Sequence, residues 1–472
     1  MMSKASGSVV ADSPVEIHAI SERRFNAFIG WTRGPMASVL VAEVEWMELK
    51  PGGVLATVFL DRTDKDLWSA ILAPDLAGRY RGVMNLGPHA NVREAVEATA
   101  EGMAAVHNDY EAAREQGDEA PPVDFFANVA PEKLWHRNFR YLREQPAAIG
   151  ARHLIQLMMR WYENQDGTFV REFQTTAFDA RIWELYVWAM LRESGYTVEQ
   201  PKPAPDFLAH GFDGSFYVEA TTANEPPAAN VATVPTNEAE LLVYVHEYLP
   251  TRFSGPLCAK LQKRYWERKG IEDIPFTIAI QDFHGELSMT YSQSALYEYL
   301  YGVRIDTVEI EGIVQKVEVP VKSHVWGAKK VPSGFFSLSD SEHISAVMFN
   351  AGGTLTKFNR MGIAAGMGDE SVTVVHEGTR FALDDSGEQI TFSTLVTEGY
   401  EEDWVDGLTV FHNPNALRPL AMEAFPGAAH VFENDGLRTQ LTPSGHIVSS
   451  ITRLITRKQS SKTLTTPTGA GG

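Results

Sequence analysis

Residues 179–196 read DARIWELYVWAMLRESGY. Most side chains between Asp179 and Gly195 are apolar, so a helix here is largely buried. Such a helix belongs at the centre of a layered domain. Asp179 is placed to cap its start, and Gly195 stands where it should stop. Glu184 lies inside it, with Val187, Trp188 and Leu191 as its i+3, i+4 and i+7 neighbours. A carboxylate in that position needs a partner, because burying one alone is very costly. Arg181 and Arg192 are the partners the helix itself offers.

The next segment, TVEQPKPAPDFLAH, reads as a short strand, proline punctuation, and a second strand opened by Asp206. A turn at Asp213-Gly214 leads into SFYVEATTA. Strand side chains alternate faces, which groups Phe216, Val218 and Ala220 on one side and Tyr217, Glu219 and Thr221 on the other. The separation of Asp206 and Glu219 is about one hairpin, so a suitable register brings them together near one end of a sheet, with Glu184 approaching from the helix. Two unit charges about 4 Å apart repel by on the order of 4 kcal/mol at an effective dielectric near 20. A proton or a cation must offset that repulsion. A hard divalent ion with oxygen ligands suits such a set, and such an ion can activate water and shield a phosphate.

The sequence Glu184, Pro205-Asp206, Glu219, spread over helix–strand–strand–strand, resembles the E…PD…(D/E)xK signature of the PD-(D/E)XK, or restriction-endonuclease-like, superfamily. The resemblance spans roughly 180 of the 472 residues. It implies an α/β fold with a restriction-endonuclease-like core of helix, three strands, helix and strand. It also implies a phosphodiesterase dependent on Mg²⁺ or Mn²⁺ that acts on nucleic acid, most plausibly DNA, in roles such as defence or genome maintenance. Asp206 and Glu219 would be catalytic and metal-binding, and Glu184 would bind or orient the metal. One position departs from the signature: where the lysine should follow Glu219 by two, this chain has Thr221. Some members recruit a lysine from a following helix. Here GPLCAKLQKRYWERKG carries Lys260 and Lys263, and the sequence does not decide between them. The departure leaves a second expectation open, a catalytically inactive nuclease-like fold used for binding or assembly.

The rest of the chain frames this core. The expected divisions are a disordered start (1–14), an N-terminal strand-rich α+β domain (15–116), a helical connector (123–169), the core (170–350), a mixed C-terminal region (351–457) and a flexible tail (458–472). Pro51-Gly52-Gly53 marks a hairpin turn, NVREAVEATAEGMAAVHNDYEAAREQ reads as one long helix, and GDEAPP at 117–122 reads as a linker. Arg137, Arg140 and Arg143 lie three apart on a helix. They form either a solvated face or a ridge for nucleic-acid phosphates. The formal net charge of −20 excludes a uniformly basic binding surface but leaves room for a local basic groove. The lone Cys258 forms no internal disulfide and fits a reducing, cytoplasmic setting. No secretory h-region or membrane-spanning run is read, and a homo-oligomer or protein partner is left open. The Gly-rich NAGGTLTKF lies at 350–358, and GIAAGMG (362–368) reads as a closely packed helix start. No GxxxxGK[ST], HExxH or GxSxG occurs. His412 reads as a turn histidine.

Overall fold

The structure, a computed structural model, describes residues 16–456 apart from 35, 51–52, 118–121, 164–166, 202–203, 213, 227–231, 272, 286–287, 289, 311–312 and 385. The two expected disordered ends, most of the 117–122 linker, Pro51-Gly52 and Asp213 therefore lie outside the described residues.

The chain is a mixed α/β protein. Its centre is an eight-stranded sheet whose strands follow one another across it in chain order. They are β1 (Thr197–Glu199), β2 (Phe207–Gly211), β3 (Gly214–Asn224), β4 (Phe276–Phe283), β5 (Ala346–Asn350), β6 (Leu408–His412), β7 (Ala429–Asn434) and β8 (Leu437–Leu441). The first three form an antiparallel meander; β3, β4 and β5 run parallel; β6 is antiparallel to β5; β7 is parallel to β6, and β8 antiparallel to β7. The middle strands are buried along nearly their whole length and carry continuous apolar runs, IAI in β4 and AVMF in β5. That pattern is expected of parallel strands covered on both faces.

Helix α1 (Phe178–Glu193) lies on one face with the helices Arg137–Glu144 and Ile149–Met158. Helices α2 (Leu249–Gln262) and α3 (Ser292–Tyr301) cover the other face. Helix α4 (Leu355–Ala364) leaves β5 for the α1 side, where Phe358 joins that core. Eleven residues of α1 are buried, as its largely apolar sequence requires. The strand alternation holds as well: Phe216 and Val218 enter the α1 core, Tyr217 the α2 core.

An N-terminal antiparallel sheet of five strands spans Glu16 to His89. The helix Val92–Asn108 seals it, packing Ala95, Met103 and Val106 on Val54, Ala56, Val58 and Ile71. The 351–457 stretch contributes β6–β8 to the central sheet itself. It also forms a small sheet from Val372–Phe381, Gln389–Leu395 and Ile447–Thr456. Among the described residues, no helix is long and apolar enough to cross a membrane.

Four local expectations are corrected. Ala177, not Asp179, is at the α1 N-cap; Asp179 lies in the first turn, where it favours the helix dipole and accepts from the Asn138 side chain at 3.1 Å. The long helix breaks at Asp109 (φ −116°, ψ 39°) into Val92–Asn108 and Tyr110–Arg114. GIAAGMG is the end of α4, not a helix start. Its packing is close, since a Cβ on Gly362 would fall 2.2 Å from the Gly150 carbonyl oxygen, and Gly366 (φ +73°) follows the helix end in the left-handed region that glycine favours. His412 closes strand β6 and shares a hydrogen bond with His430, so it is not in a turn.

Candidate active site

Phe207 faces Val218 across the β2–β3 ladder. Continuing that register by one residue sets Asp206 opposite Glu219. The side chains then tie the strands together beyond the ladder: Asp206 Oδ2 accepts from the Ala220 N–H at 2.7 Å, and Glu219 Oε2 from the Asp206 N–H at 3.3 Å. Pro205 has no N–H to donate, so the chain enters the strand through Asp206.

Glu219 is 3% exposed and lies on the α2 side of the sheet. Two donors meet at its Oε1, the Lys260 ammonium at 2.5 Å and the Tyr265 hydroxyl at 2.5 Å. Lys260 comes from the last turn of α2, whose Leu257 and Leu261 are buried against the sheet. Lys263 goes elsewhere. It sits at the C-cap, is exposed, and has its ammonium 5.7 Å from the Tyr265 ring centre. Thr221, at the position of the missing lysine, is only partly buried.

Glu184 is 8% exposed on the opposite side of the sheet. Its carboxylate accepts from the Tyr162 hydroxyl and from the Arg181 guanidinium, which also holds Glu172. Of the two arginines available, Arg181 is therefore the partner. Arg192 instead donates to the carbonyls of Trp31, Arg33 and Tyr196. Glu184 also acts on Asp206 electrostatically. Although Asp206 keeps some exposed surface, loss of solvent around its carboxyl pushes its pKa well above the carboxylate range. Glu219 and Glu184 add to this, and Lys260 opposes it. Burial, then Glu219, likewise raises the Tyr265 phenol, keeping it a proton donor to that carboxylate.

Of the residues singled out in the sequence, Asp206, Glu219 and Lys260 come together, whereas Glu184 lies across the sheet with Arg181 and Tyr162 and Lys263 stays apart. Tyr265 and Tyr162 were not foreseen, because their contacts to the acids span 46 and 22 residues and leave no local signal. The arginine ridge is not free. Arg140 donates to the Glu132 carbonyl and Arg143 to that of Phe126, and both guanidinium groups lie over the Trp135 ring at 5.2 and 4.9 Å; Arg137 is exposed.

Among the described residues, no three His, Cys, Asp or Glu side chains are grouped as a ready cage for a metal. The donor set does fit a hard ion that keeps most of its waters. Asp206 and Glu219 offer carboxylate oxygens from adjacent strands, and the raised Asp206 carboxyl is what a cation would relieve.

No family model, curated protein or solved structure matches the chain.

Proposed function

We propose that the chain is a metal-dependent phosphodiesterase of the PD-(D/E)XK type, acting on nucleic acid, with DNA as its substrate. The observation that carries this reading is the meeting of Asp206, Glu219 and Lys260 from a strand entrance, a strand and a helix, with Lys260 supplying the charge absent at Thr221. Asp206 and Glu219 would hold Mg²⁺ or Mn²⁺, which when bound supplies water activation and charge neutralisation at a scissile phosphate. Lys260 places an ammonium beside the acids, where negative charge grows on the phosphoryl oxygens. Tyr265 holds Glu219 in its orientation. The 260–269 segment carries Lys260, Lys263, Arg264, Arg268 and Lys269; Lys260 pairs with Glu219 and Arg264 with Glu267 and Asp340, so Lys263, Arg268 and Lys269 are the cations that would draw a phosphate despite the overall acidity.

A second reading has its own observation. Donors from the protein already engage both oxygens of Glu219 and both of Glu184. A closed network of this kind also suits a fold kept for binding or assembly.

Cleavage of plasmid, linear and single-stranded DNA, and of RNA, with Mg²⁺ or Mn²⁺ separates the two. The enzyme reading expects metal-dependent cleavage that is lost in folded Asp206→Ala and Glu219→Ala. Absence of cleavage by the wild type, with no metal-dependent rise in thermal stability, sides with the binding module.

A further inference from the structure

The parallel strands β4 and β5 send their connections to opposite faces of the sheet. After β4 the chain passes to α3 on one side; after β5 it passes to α4 on the other. Such a divergence opens a crevice beyond the carboxyl ends of the two strands, the usual place for a ligand in an open α/β sheet. Here the crevice is a cavity of about 720 Å³, well within the range of small-molecule sites. Its walls are the 351–356 segment, Thr290 from the connection after β4, and the small sheet of 372–381, 389–395 and 447–456.

The lining is polar and has a cation at its base. Arg360, on α4, is 2% exposed. Its Nε and Nη2 are spent on Glu402, at 2.7 Å each. Its Nη1 points the other way, to the Thr452 hydroxyl at 2.6 Å and the Thr356 hydroxyl at 3.5 Å, both of which line the cavity. Thr391, Ser393 and Ser449 add further hydroxyls.

The buried charges beneath this floor are unequal. Lys357, fully buried, is 3.1 Å from the same Glu402 that pairs with Arg360, so two cations share one carboxylate. Lys357 donates to the Asp406 carbonyl at 3.0 Å; the Asp406 and Glu193 carboxyls also stand in its field, and burial raises the pKa of both. His376 is held neutral, its pKa lowered to about 3 by burial and then by Arg360. Glu377, on the cavity wall, is taken by Arg453. An excess buried positive charge is costly unless an anion offsets it.

We propose that this cavity binds a phosphorylated small molecule of mononucleotide size, its phosphate facing Arg360 Nη1 and the Thr356 and Thr452 hydroxyls. The amino end of α4, which opens onto the cavity, reinforces the preference for an anion. This site shares no residue with the Asp206–Glu219–Lys260 cluster and stands whether or not that cluster cleaves nucleic acid.

Calorimetric titration of the full chain at constant ionic strength tests it, with chloride as the blank. The probes are inorganic phosphate, adenosine monophosphate and a short single-stranded oligonucleotide with and without a 5′-phosphate. The expected result is saturable binding of the mononucleotide, weakened about tenfold in Thr356→Val/Thr452→Val, the equivalent of about 1.4 kcal/mol. The same binding should survive in Glu219→Gln. Arg360→Gln removes the bidentate partner of the buried Glu402 and leaves it Lys357 and the Tyr400 hydroxyl, each at 3.1 Å, so the hydroxyl variants carry the test if that protein fails to fold. Binding of the 5′-phosphorylated oligonucleotide but not the mononucleotide overturns the proposal, as does no saturable binding of any probe or equal binding by wild type and the double variant.

Discussion

Lys260 and Glu219 are 41 residues apart in the chain and 2.5 Å apart in space. The pair joins α2 to the third strand of the central sheet at a point where Asp206 also meets Glu219. Everything proposed about the chemistry of this site depends on that geometry, and so do the energetic consequences of changing it.

Asp206 carries a proton at a pH where an ordinary aspartate has lost it. The folded state therefore binds a proton that the unfolded chain releases above pH ~4. Stability from this group is complete below that pH and is lost as pH rises through its raised folded pKa. Asp206→Asn, which removes the charge and keeps an oxygen for the Ala220 N–H, should raise the melting temperature of metal-free protein at pH 8 by about 1–3 °C. The same change should abolish the rise produced by Mg²⁺ in the wild type. Scanning calorimetry with and without the ion reads both effects; a destabilised Asn variant in the absence of metal contradicts the account.

Tyr265→Phe removes one donor from Glu219 and leaves Lys260 in place. The cost in stability should be about 1 kcal/mol, measured by urea unfolding. Cleavage should fall roughly three- to tenfold, in line with the loss of one orienting hydrogen bond of about that size. A loss as large as that of Glu219→Ala would mean that the phenol does more than orient.

Glu193 ends α1 with part of its side chain exposed, while its carboxylate turns inward and accepts from the Trp404 N–H. Loss of solvent around the carboxylate, then Asp403, raises its pKa to about 8. Between the ordinary glutamate value near 4.3 and about 8, the folded protein keeps a proton that the unfolded chain has lost. The wild type should therefore lose stability as pH rises through this window, and Glu193→Gln should lose less. Melting temperatures at pH 5, 6.5 and 8 give the comparison, and parallel curves would show that the carboxyl titrates normally.

The sequence carried the acids well because their placement is local. A period of two and a hairpin-length gap put Asp206 and Glu219 in register, and a largely apolar helix put Glu184 inside. The lysine was ambiguous because Lys260 and Lys263 are one helical turn apart. What separates them is long-range: Lys260 reaches Glu219, whereas Lys263, at the C-cap, is exposed and has its ammonium 5.7 Å from the Tyr265 ring centre. Tyr265, Tyr162 and the entry of β6–β8 into the central sheet are long-range facts. LTVFH in β6 is a short apolar run, and nothing within it names the strand beside it. The arginine ridge misled in the opposite way, since regular spacing is visible in sequence whereas the carbonyls and the Trp135 ring that occupy Arg140 and Arg143 are not.

The central claim is that Lys260 completes Asp206 and Glu219 as a phosphodiesterase site. Cleavage of a labelled DNA duplex in Mg²⁺ or Mn²⁺ by wild type, Lys260→Met and Lys263→Met tests it most directly. The account predicts metal-dependent cleavage by the wild type, a loss of about 10²–10³-fold in Lys260→Met, the size typical of removing one charge-stabilising donor, and near-normal activity in Lys263→Met. An inactive wild type, or activity that survives without Lys260 and fails without Lys263, would contradict it.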